Sequence, residues 1–268
     1  MKVYSHSLLG KRETNEDQHI NILNLLGENP NYNNINFFGV FDGHGGKAVS
    51  KYLKDNLPKF FIDKFPDDNE IYSNSNHSIK YFNKVYDYIQ NTMIQDHPKF
   101  VQYCGSTACV GIHYKKDNKD RLWILNVGDS RAVKCSKTNI ADALTHDHKP
   151  NRPDEKKRIE DLGGSVAFDG FDWRIKNLSL SRAFGDLDCS PYVINTPQIY
   201  KYKINSNDNF IIFACDGLWD VLTNQDAVDF INELTLKKFK GNYAKELAEL
   251  ALNKGSLDNI TVMVYMLK

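Results

Sequence analysis

Three apolar runs in this chain end in the same way. Phe37-Phe38-Gly39-Val40-Phe41 runs into Asp42-Gly43-His44-Gly45-Gly46, and the run closing at Val127 meets Gly128-Asp129-Ser130-Arg131. Phe210-Ile211-Ile212-Phe213-Ala214-Cys215 runs into Asp216-Gly217-Leu218-Trp219-Asp220. Short continuous apolar runs bounded by glycines read as buried strands. Glycine frees the backbone at the exit and lets other groups come close to it. Each exit therefore sets a carboxylate at the end of a buried strand. A fourth acid, Asp258, stands just before an apolar run over 260–267. One such acid is ordinarily a turn or a helix cap, and Asp-Gly is a common hairpin signal. Several are harder to dismiss. If the strand ends converge, the carboxylates crowd together, and like charges at close range raise pKa values or require a cation.

The remaining pattern alternates batches of strands with pairs of helices. Strands are expected over 1–9 and 18–26, and a hairpin over 106–114 and 121–127 is linked by the polar run 115–120. Loops are expected over 27–36 and 66–77 by composition. Apolar spacing predicts a helix over 45–61, with Pro58 ending or kinking it. A second is predicted over 78–96, its core stripe formed by Ile79, Phe82, Val85, Tyr86, Ile89 and Met93. Proline in its first turn and Gly163-Gly164 beyond its end mark a helix over 153–162. Thr223 and Asp226 resemble a capping box opening a helix to Leu236, and a last helix covers 244–253. Residues 166–174 form a strand or loop with exposed aromatics, either core residues or a docking surface, and a substrate-facing loop is favoured. There is no internal repeat, low-complexity linker or charge block. The expectation is one α+β domain over 1–268, its sheet layers covered by helices.

Charge narrows the function. Lys and Arg number 34, as do Asp and Glu, so no bulk positive field points to nucleic acid. No apolar run approaches the roughly 20 residues that span a bilayer. Five scattered cysteines without a Cys-x-x-Cys read as reduced thiols, so a cytoplasmic or nuclear location is expected. An oxygen-only acidic cluster suits Mg²⁺ or Mn²⁺ better than zinc. A two-metal carboxylate site clamps phosphoryl oxygens and generates a nucleophile from water.

Eight motifs in order resemble the metal-dependent protein serine/threonine phosphatases of the protein phosphatase 2C (PPM) family. They are Gly10-x-Arg12-x-x-Asn15-Glu16-Asp17, the Phe41–Gly46 stretch, Gly105-Ser106-Thr107-Ala108, Asn126–Arg131, Asp147-His148-Lys149-Pro150, Leu180-Ser181-Arg182-Ala183-Phe184-Gly185-Asp186, Ala214–Asp220 and Asp258-Asn259-Ile260-Thr261. The resemblance implies an αββα four-layer sandwich, with two antiparallel sheets flanked by helices. It implies hydrolysis of phosphoserine and phosphothreonine monoesters by attack of a metal-bound water on phosphorus, without a phosphoenzyme. By its pattern Asp42 bridges two Mg²⁺ or Mn²⁺ ions and the Gly43 carbonyl binds one of them. Asp216 and Asp258 bind the other, and Glu16 and Asp17 hold metal-bound waters. Asp129 and Asp220, with Asp216, match a third, weaker metal site. Arg12 matches the arginine that grips the substrate phosphate, and His44 the general acid. Thr107 and Arg182 are expected to support the site through hydrogen bonds. His146 and His148 are expected to organise the loop before Pro150. The partners implied are phosphorylated proteins, with no nucleic acid, no membrane and a monomeric chain. Two competing readings are a non-catalytic member that binds partners and another phosphoesterase such as a nuclease. Retention of Asp42, Asp216 and Asp258 argues against the first, and neutral charge against the second.

Overall fold

In the computed structural model, the residues described are 1–27, 35–64, 75–116 and 119–267. Two five-stranded antiparallel sheets carry the chain. The first is ordered β1 (Lys2–Leu8), β15 (Ile260–Met266), β14 (Asp208–Ala214), β8 (Arg131–Ser136), β9 (Ala141–Ala143). The second is ordered β13 (Gln198–Ile204), β7 (Lys119–Val127), β6 (Ala108–Lys116), β3 (Asn36–Phe41), β2 (Gln18–Ile22). Helices α1 (Ala48–Lys64) and α2 (Ser75–Asp96) cover the second sheet. Helices α5 (Asn224–Leu236) and α6 (Tyr243–Asn253) cover the first.

The apolar runs are continuous because both faces of their strands are buried. Along β3, Phe37 and Phe41 pack under α1 and α2, whereas Phe38 and Val40 face the other sheet. Along β14, Ile212 and Ala214 lie under α5 and α6, and Ile211 and Phe213 turn inward. β15 alternates likewise, with Val262 and Val264 outward and Met263 and Tyr265 inward. The result is four layers, αββα, and a central core where the Phe38 ring lies 4.4 Å from that of Tyr265 and 6.0 Å from that of Phe213. Each such fully buried side chain contributes about 1.5–3 kcal/mol relative to exposure.

Local signals hold well. Thr223 and Asp226 form a reciprocal capping box, and the Asn242 side chain caps α6. Proline opens α3 (Pro153–Asp161), and Gly163 beyond it takes the left-handed φ of 81°. Three expectations change. Pro58 lies inside α1 and does not end it, since the helix continues to Lys64. Ile79 is exposed, and Ser78 takes the buried position on that turn of α2. β13 was not expected, because its sequence Gln-Ile-Tyr-Lys-Tyr-Lys-Ile is that of an edge strand with polar positions, and edge strands lack a continuous apolar run. The loop expected over 66–77 lies outside the described residues except for its last three positions, which belong to α2. Most of the loop over 27–36, and the centre of the link over 115–120, also lie outside them.

Two smaller units sit at one edge of the sandwich. A three-stranded ribbon joins β4 (Gly43–His44), β5 (Gly105–Ser106) and β12 (Phe184–Gly185). A hairpin pairs β10 (Ala167–Phe168) with β11 (Trp173–Arg174), and leaves Phe171 89% exposed at its tip.

Candidate active site

The carboxylates come together because strands of both sheets end at the same edge. Asp42 follows β3, and its backbone is locked to Thr107 in both directions. The Thr107 N–H donates to the Asp42 carbonyl at 2.9 Å, and the Asp42 N–H donates to Thr107 Oγ1 at 3.1 Å. Asp129 stands in the tight turn between β7 and β8. Asp216 opens the short helix α4 (Asp216–Trp219) directly after β14. Glu16 and Asp17 precede β2. The Asn259 side chain ties their loop to the Asp258 turn, accepting from Glu16 N–H and donating to the Thr14 carbonyl. A cavity of about 380 Å³ opens over this edge. Its wall includes Arg12, Glu16, Asp42, Gly43, His44, Asp129, Asp216 and Asp258, so eight of the ten residues expected at the site share one space. Asp17 is buried outside this wall, and Asp220 is exposed on a neighbouring groove with Arg131 and Trp219.

The charges are strongly frustrated. Ligand oxygens of Asp42, Asp129 and Asp216 lie within 4.8 Å of one another, and those of Asp17 and Asp42 within the same span of the Cys215 sulfur. Burial pushes the Asp42 carboxyl well above its ordinary value, and Asp17, Asp216, Asp129 and Asp258 add to the rise. Asp216 is raised well up by burial and by Asp129 and Asp220, against the pull of Lys149. Burial raises Asp17 to about 6, and its Oδ2 has no hydrogen-bond partner. Burial pushes the Cys215 thiol well up, so it stays protonated and offers no thiolate. A set of buried carboxylate oxygens with one orphaned atom and no soft ligand fits a hard divalent cation.

Two cations of the chain itself already lie on these acids. Arg12 Nη2 donates to Asp258 Oδ2 at 2.7 Å, and Lys149 Nζ donates to Asp129 Oδ2 at 2.5 Å. His44 Nε2 lies 2.6 Å from Asp186 Oδ2. Burial alone would lower the His44 pKa. The hydrogen bond and charge of Asp186, with Asp129 and Glu16, outweigh it and raise the value.

The protein phosphatase 2C family model matches residues 1–260. The chain belongs to that family. It is 37% identical over 260 residues to a rice protein named probable protein phosphatase 2C member 13, mitochondrial, covering 96% of this chain and 66% of that one. It is 38% identical over 262 residues to probable protein phosphatase 2C 11 of Arabidopsis thaliana, covering 96% and 64%. The chain thus spans about two thirds of the length of these relatives. Among solved structures, a serine-threonine phosphatase 2C from Toxoplasma gondii superposes with a TM-score of 0.85 at 25% identity, over 99% of this chain and 94% of that one. A sex-determining protein of C. elegans gives 0.86 at 28%, over 100% and 65%.

Within this phosphatase 2C fold, four side chains near the site carried no role in the sequence reading. Asp186 closes the Ser-Arg-Ala-Phe-Gly-Asp motif and meets His44. Lys149, inside Asp-His-Lys-Pro, meets Asp129. Arg174 of β11 reaches the cavity wall, where Asp169 and the Asn177 carbonyl hold it. Glu155 of α3 is 1% exposed and gathers Arg158, Arg182, Arg152 and Ser181. Motif membership was the available signal for the first two. Arg182 is bonded to Glu155 and to the Thr196 carbonyl, and is not in the cavity wall. His148 is buried against Gly128, and its carbonyl accepts from Ser181 N–H, in keeping with a loop-organising role.

Proposed function

We propose that the chain is a divalent-metal-dependent protein serine/threonine phosphatase acting on phosphoserine and phosphothreonine monoesters. The observation that carries this reading is the set of buried, mutually repelling carboxylates under a cavity that also holds Arg12 and His44, in a phosphatase 2C chain. Asp42, the Gly43 carbonyl, Asp216 and Asp258 would hold Mg²⁺ or Mn²⁺, with Glu16 and Asp17 around them. Asp129 and Asp220 would serve a third, weaker site. When bound, the ions supply charge neutralisation of the phosphoryl oxygens and a water that is nucleophilic at neutral pH.

The remaining work falls to the chain's own groups. The Arg12 guanidinium offers a planar fork to two phosphate oxygens, and it leaves Asp258 to do so. His44 carries a proton to the serine or threonine oxygen as its bond to phosphorus breaks, because an alkoxide is a poor leaving group. Water supplies the new P–O bond, and the products are the free hydroxyl and inorganic phosphate. No step needs a cysteine or serine nucleophile. No helix among the described residues is long and apolar enough to cross a membrane. The free cysteines suit a reducing compartment, so cytoplasm or nucleus is the location proposed.

Turnover of a phosphothreonine peptide is the test. Activity is expected with Mn²⁺ or Mg²⁺, with loss in EDTA and recovery on adding metal. Full turnover in a verified metal-free sample would overturn the metal dependence. No turnover of phosphoserine or phosphothreonine peptides at saturating metal would overturn the activity.

A further inference from the structure

The contact between His44 and Asp186 joins residues 142 positions apart, and three separate backbone features build it. The first is register. In the edge ribbon His44 stands opposite Gly105, and Gly105 opposite Gly185, so His44 and the residue before Asp186 flank one central position. The second is the absence of a side chain there. A Cβ on Gly105 would collide with both Asp186 Oδ2 and His44 Nε2, so the two groups meet over a bare backbone. The third is conformation. Asp186 adopts φ 48° and ψ 45°, a left-handed geometry that costs a non-glycine residue energy and persists only where the surroundings impose it. Its N–H donates to the Cys104 carbonyl at 3.1 Å, and its own carbonyl accepts from Cys189 N–H at 2.9 Å. The Asp186 side chain is 3% exposed, and it meets His44 from within the protein.

We infer that Asp186 is the positioning residue that aims His44, committing Nε2 to the carboxylate and leaving Nδ1 as the ring nitrogen that serves the substrate. The inference rests on His44 being the proton donor proposed above. A histidine's working nitrogen is set by the hydrogen bond its other nitrogen makes. With Nε2–H given to Asp186, the Nδ1 proton is the one transferred. The ester P–O bond breaks, its electron pair stays on the serine or threonine oxygen, and that oxygen takes the Nδ1 proton. The ring is left neutral, with its remaining proton still on Nε2 facing Asp186. Asp186 lies outside the cavity wall, and its side chain works through the His44 ring.

Leaving-group dependence tests this, because a merely structural role would not produce it. An alkyl oxygen needs a proton as it departs, whereas nitrophenolate is stable as an anion. At saturating Mn²⁺, Asp186→Asn is expected to lower kcat on a phosphothreonine peptide by roughly 10- to 100-fold, at or below the ~10²–10⁴-fold range of a general acid. Nitrophenyl phosphate should lose less than about 3-fold, and Mn²⁺ affinity should be unchanged. In a His44→Gln background, Asp186→Asn should cost nothing further, since both act as one unit. Gly105→Ala, which wedges the pair apart from the third strand, should reproduce the same selective loss. Once the His44 ring is deprotonated, its ¹⁵N shifts in the unaltered protein should report the neutral Nε2–H tautomer, the form left after the proton has been given. Equal losses on both substrates, an additive loss in the double variant, or an Nδ1–H tautomer would each overturn the role of Asp186 and leave the phosphatase reading standing. A His44→Gln variant with equal losses on both substrates would remove the acid role of His44, and that of Asp186 with it.

Discussion

Glu155→Gln should be among the most destabilising single changes in this protein that touch no wall residue of the cavity. The carboxylate is 1% exposed, and it accepts from Arg158 Nη2 at 2.9 Å, Arg182 Nε at 3.0 Å and Ser181 Oγ at 2.8 Å, with Arg182 Nη2 and Arg152 also on it. Burial works against its charge, yet Arg182, Arg158 and Ser181 together bring its pKa down to about 2. Glutamine keeps the shape but leaves the guanidinium groups of Arg182 and Arg158, 14% and 23% exposed, without their counter-charge. Breaking a buried ion pair from one side costs about 3–5 kcal/mol. A domain of this size shifts by about 2–4 °C per kcal/mol, so the melting temperature should fall by roughly 6–20 °C. The pH dependence has a definite sign. A carboxylate held below its unfolded value of 4.5 contributes fully above that value, and loses its contribution as pH falls towards about 2. The gap between the two proteins should therefore be largest near pH 7 and shrink below pH 4.5. Urea unfolding at several pH values, with Lys157→Ala as an exposed ion-pair control worth under about 1 kcal/mol, measures it. A Glu155→Gln protein within about 1 kcal/mol of the original at pH 7 would refute the reasoning.

The other expectations concern the cavity. Asp42→Asn, Asp216→Asn and Asp258→Asn should each remove most turnover with the fold retained, and combining them should add little; original rates for two of the three at every metal concentration would displace them as ligands. In EDTA, Asp17→Asn should stabilise the protein. Burial holds the native carboxyl up at about 6 against 3.8 unfolded, so stability falls as pH rises through that window. Thermal melts at pH 7.5 without metal should show the gain, and a lower melting temperature than the original would contradict it. Arg12→Ala should raise KM for phosphopeptide and weaken inhibition by free phosphate; unchanged values for both would leave Arg12 as a partner of Asp258 alone.

Much of the architecture was legible in the sequence because its causes are local. The two-sided burial of β3 and β14 is written as continuous apolar runs, and the capping box at Thr223 and the Pro–Gly brackets of α3 need only neighbouring residues. The identity and order of the strand-end acids were legible too, and with them the family. Tertiary structure decided which acids share a space. Asp129 and Asp220 look alike in sequence, yet Asp129 is buried within 4.8 Å of Asp42 and Asp216, while Asp220 is exposed one turn beyond its helix start. The partners of the working groups were equally hidden. Arg12 meets Asp258 across 246 positions because β1 pairs with β15, and His44 meets Asp186 across 142 through the ribbon register and the bare backbone at Gly105. Glu155 reads as one more acid in the first turn of a charged helix, and becomes the hub of three arginines only when α3 packs against the segment that carries Arg182. Local propensity and periodicity act over a few residues. Electrostatic pairing acts over a few ångströms, and the chain reaches those distances only once its sheets have closed on each other.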